Sequence, residues 1–370
     1  MLILESGTGN YITSEGREYS CFAGNNYLGL ANHPELINAA IEGTKKYGIN
    51  FSASRQTTGT SEIHLELEKQ LAAFKQRDDA VIFASGYMGN KILLHALRDE
   101  YDAIFADQSA HSSIRDAIPS DISSVYFYEH GSAVHLESLI HQHKSAKPLV
   151  ITDGIFALTG EIAPLDTIYP VVVRNNGLLI VDDAHATGVL GDNGRGTPEY
   201  FGLGDAPRIF QTETMSKAIG VYGGFIAADN AVIQRIREKS PVYGASTALP
   251  PPLVTAAIAS LKLIARHPEL REQLLANSAR IRAGLNELQF HTTDSCAPVI
   301  PVLFSNQQNA SALSDFLKER QIIAPFVNYP VTTAQSIIRI TASAAHTRQQ
   351  IDNLLTVLES WKKNSPERMR

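Results

Sequence analysis

Cysteine is scarce in this chain: Cys21 and Cys296 are the only two among 370 residues. Two thiols are too few for a disulfide framework and have no metal-site spacing, so both are expected to be buried side chains. A strong charge of either sign is also missing. Lys and Arg number 32 against 38 Asp and Glu, a net charge of -6 that gives no reason to expect nucleic acid or an anionic membrane as partner. No apolar run approaches the roughly 20 residues that cross a bilayer. The start, MLILESGTGN, offers four apolar residues before Glu5, too short for the core of a secretion signal. Internal repeats and low-complexity tracts are absent as well. These absences leave a reducing, cytoplasmic setting as the expectation. The composition, 44% hydrophobic and 19% charged, is that of a globular protein, long enough for one large domain and a smaller one.

From residue 79 onward, short apolar runs alternate with amphipathic stretches. Strands are predicted at 80–84, 103–106, 124–128, 149–152, 178–181, 208–212 and 225–228. Helix-length segments between them, such as 135–144 and 168–175, argue for an α/β fold with a mostly parallel sheet and helices on both faces. Ligands of such sheets bind beyond the carboxyl ends of the strands. The proline-rich stretch ASTALPPP at 245–252 breaks the alternation. After it come helices near 253–266, 269–288, 310–320 and 348–363, with strands near 298–304 and 337–341. The division expected is a large domain at 46–245 and a small C-terminal α/β domain at 246–370. Residues 1–45 form an N-terminal segment packed with the small domain, and a polar tail ends the chain at 364–370.

Lys217 lies in TETMSKAIGVYGG at 212–224, just past a strand and before a glycine cluster. That is a suitable place for an amine that bonds to a carbonyl cofactor. Some 35 residues upstream, GLLIVDDAHATG at 177–188 ends a strand in Asp182, Asp183 and His185. An amine and a strand-end carboxylate are both needed by pyridoxal 5'-phosphate (PLP). The carboxylate would pair with the protonated ring nitrogen and keep the ring electron-withdrawing. Asp182 and His185 also have the Asp-x-x-His spacing of a divalent-metal site, without obvious further ligands. In SGYMGN at 85–90, Ser85, Gly86 and Tyr87 stand at a strand-to-helix turn. Such a turn can present backbone N–H groups to an anion or can be a plain connection. Tyr87 can stack on a planar cofactor or pack in the core. His111, in DQSAHSSI at 107–114, can face a cleft among small residues. His95, His130, His135, His141 and His143 read as surface or helix positions without a role.

Taken in order, these motifs resemble the α-oxoamine synthase family of fold-type I PLP enzymes. The likeness runs through NNYLGL at 25–30, GTSEIH at 59–64 with Leu67 and Glu68, 85–90, 107–114, GEIAPL at 160–165, 181–188, GDNGRG at 191–196, 214–220, STALP at 246–250 and RITASAAH at 339–346. The resemblance implies a seven-stranded, mostly parallel sheet in the large domain. It implies that Lys217 carries PLP and moves the substrate proton, that Asp182 binds the pyridine nitrogen, and that His111 stacks on the ring. His185, three places after Asp182, stands where ordinary fold-type I aminotransferases have tyrosine. Ser85, Gly86, Tyr87 and Thr214 would hold the cofactor and its phosphate. Ser246 and Thr247 would reach a phosphate of the neighbouring subunit, implying an obligate homodimer with shared sites. Arg339 would take the amino-acid carboxylate through a bidentate pair, with Asn25 beside the substrate. The implied reaction joins a small amino acid, alanine first, to an acyl-CoA with loss of CoA and, in most members, of carbon dioxide. Transamination, retro-aldol cleavage, and a degenerate PLP-binding protein are the rival readings. Two departures bear on substrate: Ala157 replaces a common serine in IFALTG at 155–160, and NYPVTT at 328–333 replaces a proline-rich run. The chain also starts close to Asn25, without the longer leading segment of several members.

Overall fold

The computed structural model describes residues 2–327 and 336–364. The chain divides into two compact units. One comprises Pro34–Phe156 and Ile162–Arg266; the other comprises Met1–His33, Ala157–Glu161 and His267–Arg370. The first is built on a seven-stranded sheet: β1 (Asp79–Phe83), β2 (Ala103–Asp107), β3 (Val125–Tyr128), β4 (Pro148–Asp153), β5 (Leu178–Asp182), β6 (Ile209–Thr214) and β7 (Gly224–Ala228). Their spatial order is β1-β7-β6-β5-β4-β2-β3. Only β7 runs against its neighbours, so β1 shares the direction of the parallel set. All seven apolar runs expected as strands are strands of this one sheet.

Strand periodicity puts successive side chains on opposite faces. Leu178 and Ile180 join Val81, Ile104, Ile151 and Ile226 in one buried cluster, closed by Ile92, Leu93 and Ala96 of the helix Gly89–Ala96. Leu179 and Val181 join Phe105, Val150 and Ile209 in the other, closed by Leu136, Ile140, Ile168 and Val172. Both faces are therefore apolar, as continuous runs with no polar alternation require.

The units do not follow the sequence division at 45 and 245. Helix Pro34–Tyr47 packs on helix Pro251–Arg266 within the first unit. Gly43 makes room for Thr255, whose hydroxyl donates to the Ala39 carbonyl at 2.8 Å.

The second unit carries an antiparallel hairpin, Tyr11–Ser14 with Arg17–Cys21, turned by Glu15 and Gly16 at φ of 53° and 67°. Two consecutive positive-φ residues make the tight turn whose twist suits a hairpin. Ile322–Ile323 adds a parallel strand to it. A second sheet runs Val299–Phe304, Ser336–Thr341, Phe326–Val327, all antiparallel. Helices Glu269–Glu287, Gln307–Glu319 and Arg348–Asn364 complete the unit. Cys21 is buried, but Cys296 is exposed. It sits between helix Glu269–Glu287 and strand Val299–Phe304, in an irregular stretch. The 328–333 departure lies outside the described residues. Among the described residues, no helix is long and apolar enough to cross a membrane.

Each unit has a buried histidine that burial keeps neutral, His64 in the first and His346 in the second. His64 accepts the Ser61 N–H on Nδ1 at 3.3 Å and reaches the Leu249 carbonyl with Nε2 at 2.8 Å. His346 accepts the Ser343 N–H at 3.1 Å and reaches the Cys21 carbonyl at 2.9 Å. Burial pushes both rings down to about 4. The folded value lies below the unfolded one, so the stability they contribute is present above about pH 6.5 and is lost as pH falls toward 4. Over that window the unfolding free energy should drop by up to about 1.4 kcal/mol per pH unit for each ring. Urea titrations of the wild type and of His346→Gln at several pH values should show the slope reduced by one proton in the variant.

Candidate active site

Because β1, β2, β4, β5 and β6 share one direction, their carboxyl ends lie along the same edge of the sheet. Asp182 closes β5 on the same face as Leu178 and Ile180, the face covered by helix Gly89–Ala96. The buried Asn90 of that helix donates to Asp182 Oδ2 at 2.7 Å. Asn90 also accepts from the Thr212 hydroxyl at 2.9 Å, which fixes which way its amide points. The Ala184 N–H donates to Asp182 Oδ1 at 3.2 Å. Both carboxylate oxygens therefore act as acceptors.

Asp183 does different work. Its side chain accepts from Thr197 N–H at 2.8 Å, Thr197 Oγ1 at 2.6 Å and Gln211 Nε2 at 2.5 Å. Gly154 and Gly196 have no room for a Cβ beside it. It therefore anchors the 188–197 loop, and the two adjacent acids do not converge on a common ligand. His185 is buried two positions further on.

His111 caps the helix Ser112–Ala117. Its Nδ1 accepts the Ser113 N–H at 3.2 Å and lies 2.8 Å from the Ser113 hydroxyl. Since that N–H can only donate, the ring hydrogen belongs on Nε2 and the ring is neutral. Burial lowers its pKa in the same sense, against the pull of Asp182 and with the push of Lys217. The Ser113 hydroxyl is 3.5 Å from Asp182 Oδ2, so ring and carboxylate share a neighbour.

Tyr87 is not a core residue: 47% of its surface is exposed. Its ring meets the His111 ring edge-on at 6.0 Å between centroids, and its hydroxyl donates to the Asp116 carboxylate. That hydrogen bond raises the tyrosine pKa. Ser85 caps the turn Gly86–Met88, accepting the Tyr87 N–H at 3.3 Å. Gly86 is pressed against β6, where a Cβ would sit 2.6 Å from Thr214 Cβ. Thr214 in turn accepts the Ser216 N–H at 3.1 Å and donates to the Gly223 carbonyl at 3.0 Å. Lys217 follows in the half-buried SKAIG turn, where the Gly220 N–H meets its carbonyl at 3.1 Å. Its positive charge acts on both His111 and Asp153. Ser246 bonds the Val242 carbonyl at 2.5 Å, and the exposed Thr247 forms a lone bridge with Ser54.

Asn25 and Arg339 belong to the other unit. Arg339 Nε donates to the Ala157 carbonyl at 2.7 Å, Nη1 to Gly24 O at 3.2 Å and Thr341 Oγ1 at 2.9 Å, and Nη2 to Asn25 Oδ1 at 2.9 Å. These contacts engage all three guanidinium nitrogens, and the buried Tyr27 hydroxyl bonds the same group. A bidentate carboxylate pair therefore requires one of these partners, Asn25 being the side chain among those on Nη2, to let go. The Ala157 contact is made by backbone, so the missing serine hydroxyl does not disturb it.

Sequence reasoning gave no role to Asn90, Ser113, Thr212 or Asp153. It also passed over His130, which is half-buried with Nδ1 3.0 Å from the buried Asp107 carboxylate.

A family model described as aminotransferase class I and II matches residues 19–358. The chain belongs to that family. Among relatives of this aminotransferase class I and II chain is 8-amino-7-oxononanoate synthase 1 of Bacillus subtilis (strain 168). It is 36% identical over 362 residues, which cover 97% of this chain and 92% of that protein. Serine palmitoyltransferase from S. paucimobilis, solved with PLP and myriocin, superposes with a TM-score of 0.93 at 26% identity, covering 99% of this chain and 93% of that one. For 8-amino-7-oxononanoate synthase from Francisella tularensis the TM-score is 0.81 at 27% identity, covering 94% and 98%. Within the aminotransferase class I and II family, the chain is an α-oxoamine synthase.

The first unit's residues fit PLP. A glycine turn held against β6, a donor-loaded carboxylate, a neutral imidazole and a lysine whose charge reaches both His111 and Asp153 are the groups that cofactor needs. The two adjacent acids should separate cleanly by mutation. Asp183→Ala should cost ~3 kcal/mol of unfolding free energy, because three buried donors lose their acceptor. Asp182→Ala should cost less stability and abolish the visible absorbance gained on adding PLP. Urea unfolding and a PLP titration on both variants check this.

Proposed function

We propose that this enzyme condenses alanine with the CoA thioester of a seven-carbon dicarboxylic acid, releasing carbon dioxide and CoA and giving 8-amino-7-oxononanoate. The chain is a PLP-dependent acyltransferase acting on an amino acid and an acyl thioester. The choice of substrates is supported by the relatives' product. In a nonanoate bearing a 7-oxo and an 8-amino group, carbons 8 and 9 are alanine without its carboxyl, and carbons 1–7 are the dicarboxylic acyl group. One carbon–carbon bond forms, the carboxyl leaves as carbon dioxide, and the thiolate leaves with a proton.

When bound, PLP supplies an electron sink that stabilises negative charge at the amino acid's α-carbon. The protein's residues do the rest. Asp182, its oxygens fixed by Asn90 and Ala184, would pair with the protonated ring nitrogen. His111 would pack its neutral ring against the cofactor, and His185 would hydrogen-bond at its edge or steady Asp182. Ser85, Gly86, Tyr87 and Thr214 hold the phosphate end. Lys217 would anchor the cofactor and would take and return the α-proton at Nζ. Arg339 receives the amino acid's carboxylate, exchanging the Asn25 contact for it. Ser246 and the exposed Thr247 serve a second copy of the chain, so the working unit is a homodimer. A cytoplasmic setting suits two thiols that are not joined.

The observation that carries this reading is the convergence of Asp182, His111 and Lys217 at one sheet edge, in a chain 36% identical to a named synthase. CoA release should require both alanine and the acyl-CoA, with a product of matching mass. CoA release without amino acid, or amino transfer to a keto acid, would count against it. Lys217→Ala should lose at least 10³-fold in rate, and borohydride fixation should no longer leave the cofactor's mass on the peptide that holds residue 217. Sedimentation should give the mass of two chains.

A further inference from the structure

Asp153 closes β4 directly across from Asp182 in the parallel register, so both carboxyl groups project from the same face of the sheet. Asp153 is only 3% exposed and Asp182 only 7%. Two carboxylates buried side by side repel, and such pairs hold one proton between them. The hydrogen bonds decide which partner keeps it. Asp182 receives Asn90 Nδ2 at 2.7 Å and the Ala184 N–H at 3.2 Å, with the Ser113 hydroxyl at 3.5 Å. Asp153 receives only the His111 N–H, at 2.8 Å on Oδ2.

We propose that Asp153 is held as the neutral acid, leaving Asp182 the sole anion of the pair, and that Asp153 is a positioning residue for the site. Its effect is twofold. Through the His111 N–H it sets the start of helix Ser112–Ala117 and hence the plane of the His111 ring. Being uncharged, it also does not itself act on Lys217 as a counter-ion that would hold the amine as an ammonium, a form that could not bond a carbonyl carbon. The groups facing Asp153 are Asp182 from β5, Lys217 beyond β6, His111, and Asp107 and Tyr128 from β2 and β3. Asp107 is itself engaged by His130. Burial comes first in lifting Asp153 well above the usual carboxylate range, Asp182 adds to it, and the His111 N–H and Lys217 oppose it.

The consequence for Lys217 rests on the proposed function, but the proton on Asp153 belongs to the cofactor-free chain and is read there. In apo-protein labelled with ¹³Cγ-aspartate, one carboxyl resonance should stay in the acid form at neutral pH. It should vanish in Asp153→Asn, and in Asp182→Asn its titration should move to lower pH. With a raised folded value, the stability that the acid form confers is present below about pH 4 and lost as pH rises. Relative to Asp153→Asn, the wild-type folding equilibrium should therefore weaken up to tenfold per pH unit above pH 4. Asp153→Asn should still bind PLP. If every aspartate resonance titrates in the ordinary carboxylate range, the proposal is overturned, whether or not the variants fold. A persistent acid-form signal in a protein that fails to make the amino ketone would sink the function while leaving the carboxyl pair standing.

Discussion

The row of the parallel sheet that runs Asp153, Asp182, Thr212 ties three strand ends into one rigid edge. Gly154 N–H bonds the Asp182 carbonyl and Asp183 N–H bonds the Thr212 carbonyl, each within 2.8–2.9 Å. Because the backbone of this row is locked, the side chains above it have little freedom. Thr212 orients Asn90, Asn90 loads Asp182, and Ser113 links Asp182 to His111. The chemistry on this edge is thus set by strand register before any cofactor arrives.

The same row shows how alternation divides labour between neighbours in sequence. Asp182 follows the parity of Ile180 and opens toward helix Gly89–Ala96, whereas Asp183 turns away to hold Thr197 and Gln211. Glu213 and Thr214 divide likewise. Thr214 sits beneath Gly86, while the Glu213 carboxyl is buried in an ion pair with Lys75 and is pushed up to about 7 by that burial.

Much of this was legible in the sequence, for definite reasons. All seven strands stood out because both faces of the sheet are covered, which forces unbroken apolar runs. Lys217, Asp182, His111 and the 85–90 turn were visible because each lies at the end of such a run. Asn90, Ser113 and Asp153 were not assigned because their partners are distant: Asn90 and Asp182 are separated by 92 positions. Only the strand order brings them together. The domain division moved because Gly43 and Thr255, read separately, carry no sign that two helices meet there. The exposure of Cys296 was not legible because residue type alone does not say that the chain is irregular there.

Arg339 has a consequence of another kind. Its guanidinium is already engaged on every nitrogen, with two main-chain carbonyls, a threonine hydroxyl, Asn25 and Tyr27 in place. An incoming anion gains only the difference between its own bonds and the one it displaces. A ligand recognised by such an exchange is held weakly for its charge and strictly for its shape. With the proposed role of Arg339, discrimination between amino acids would rest on how well each fills the space around the carboxylate, a form of selection that survives high ionic strength.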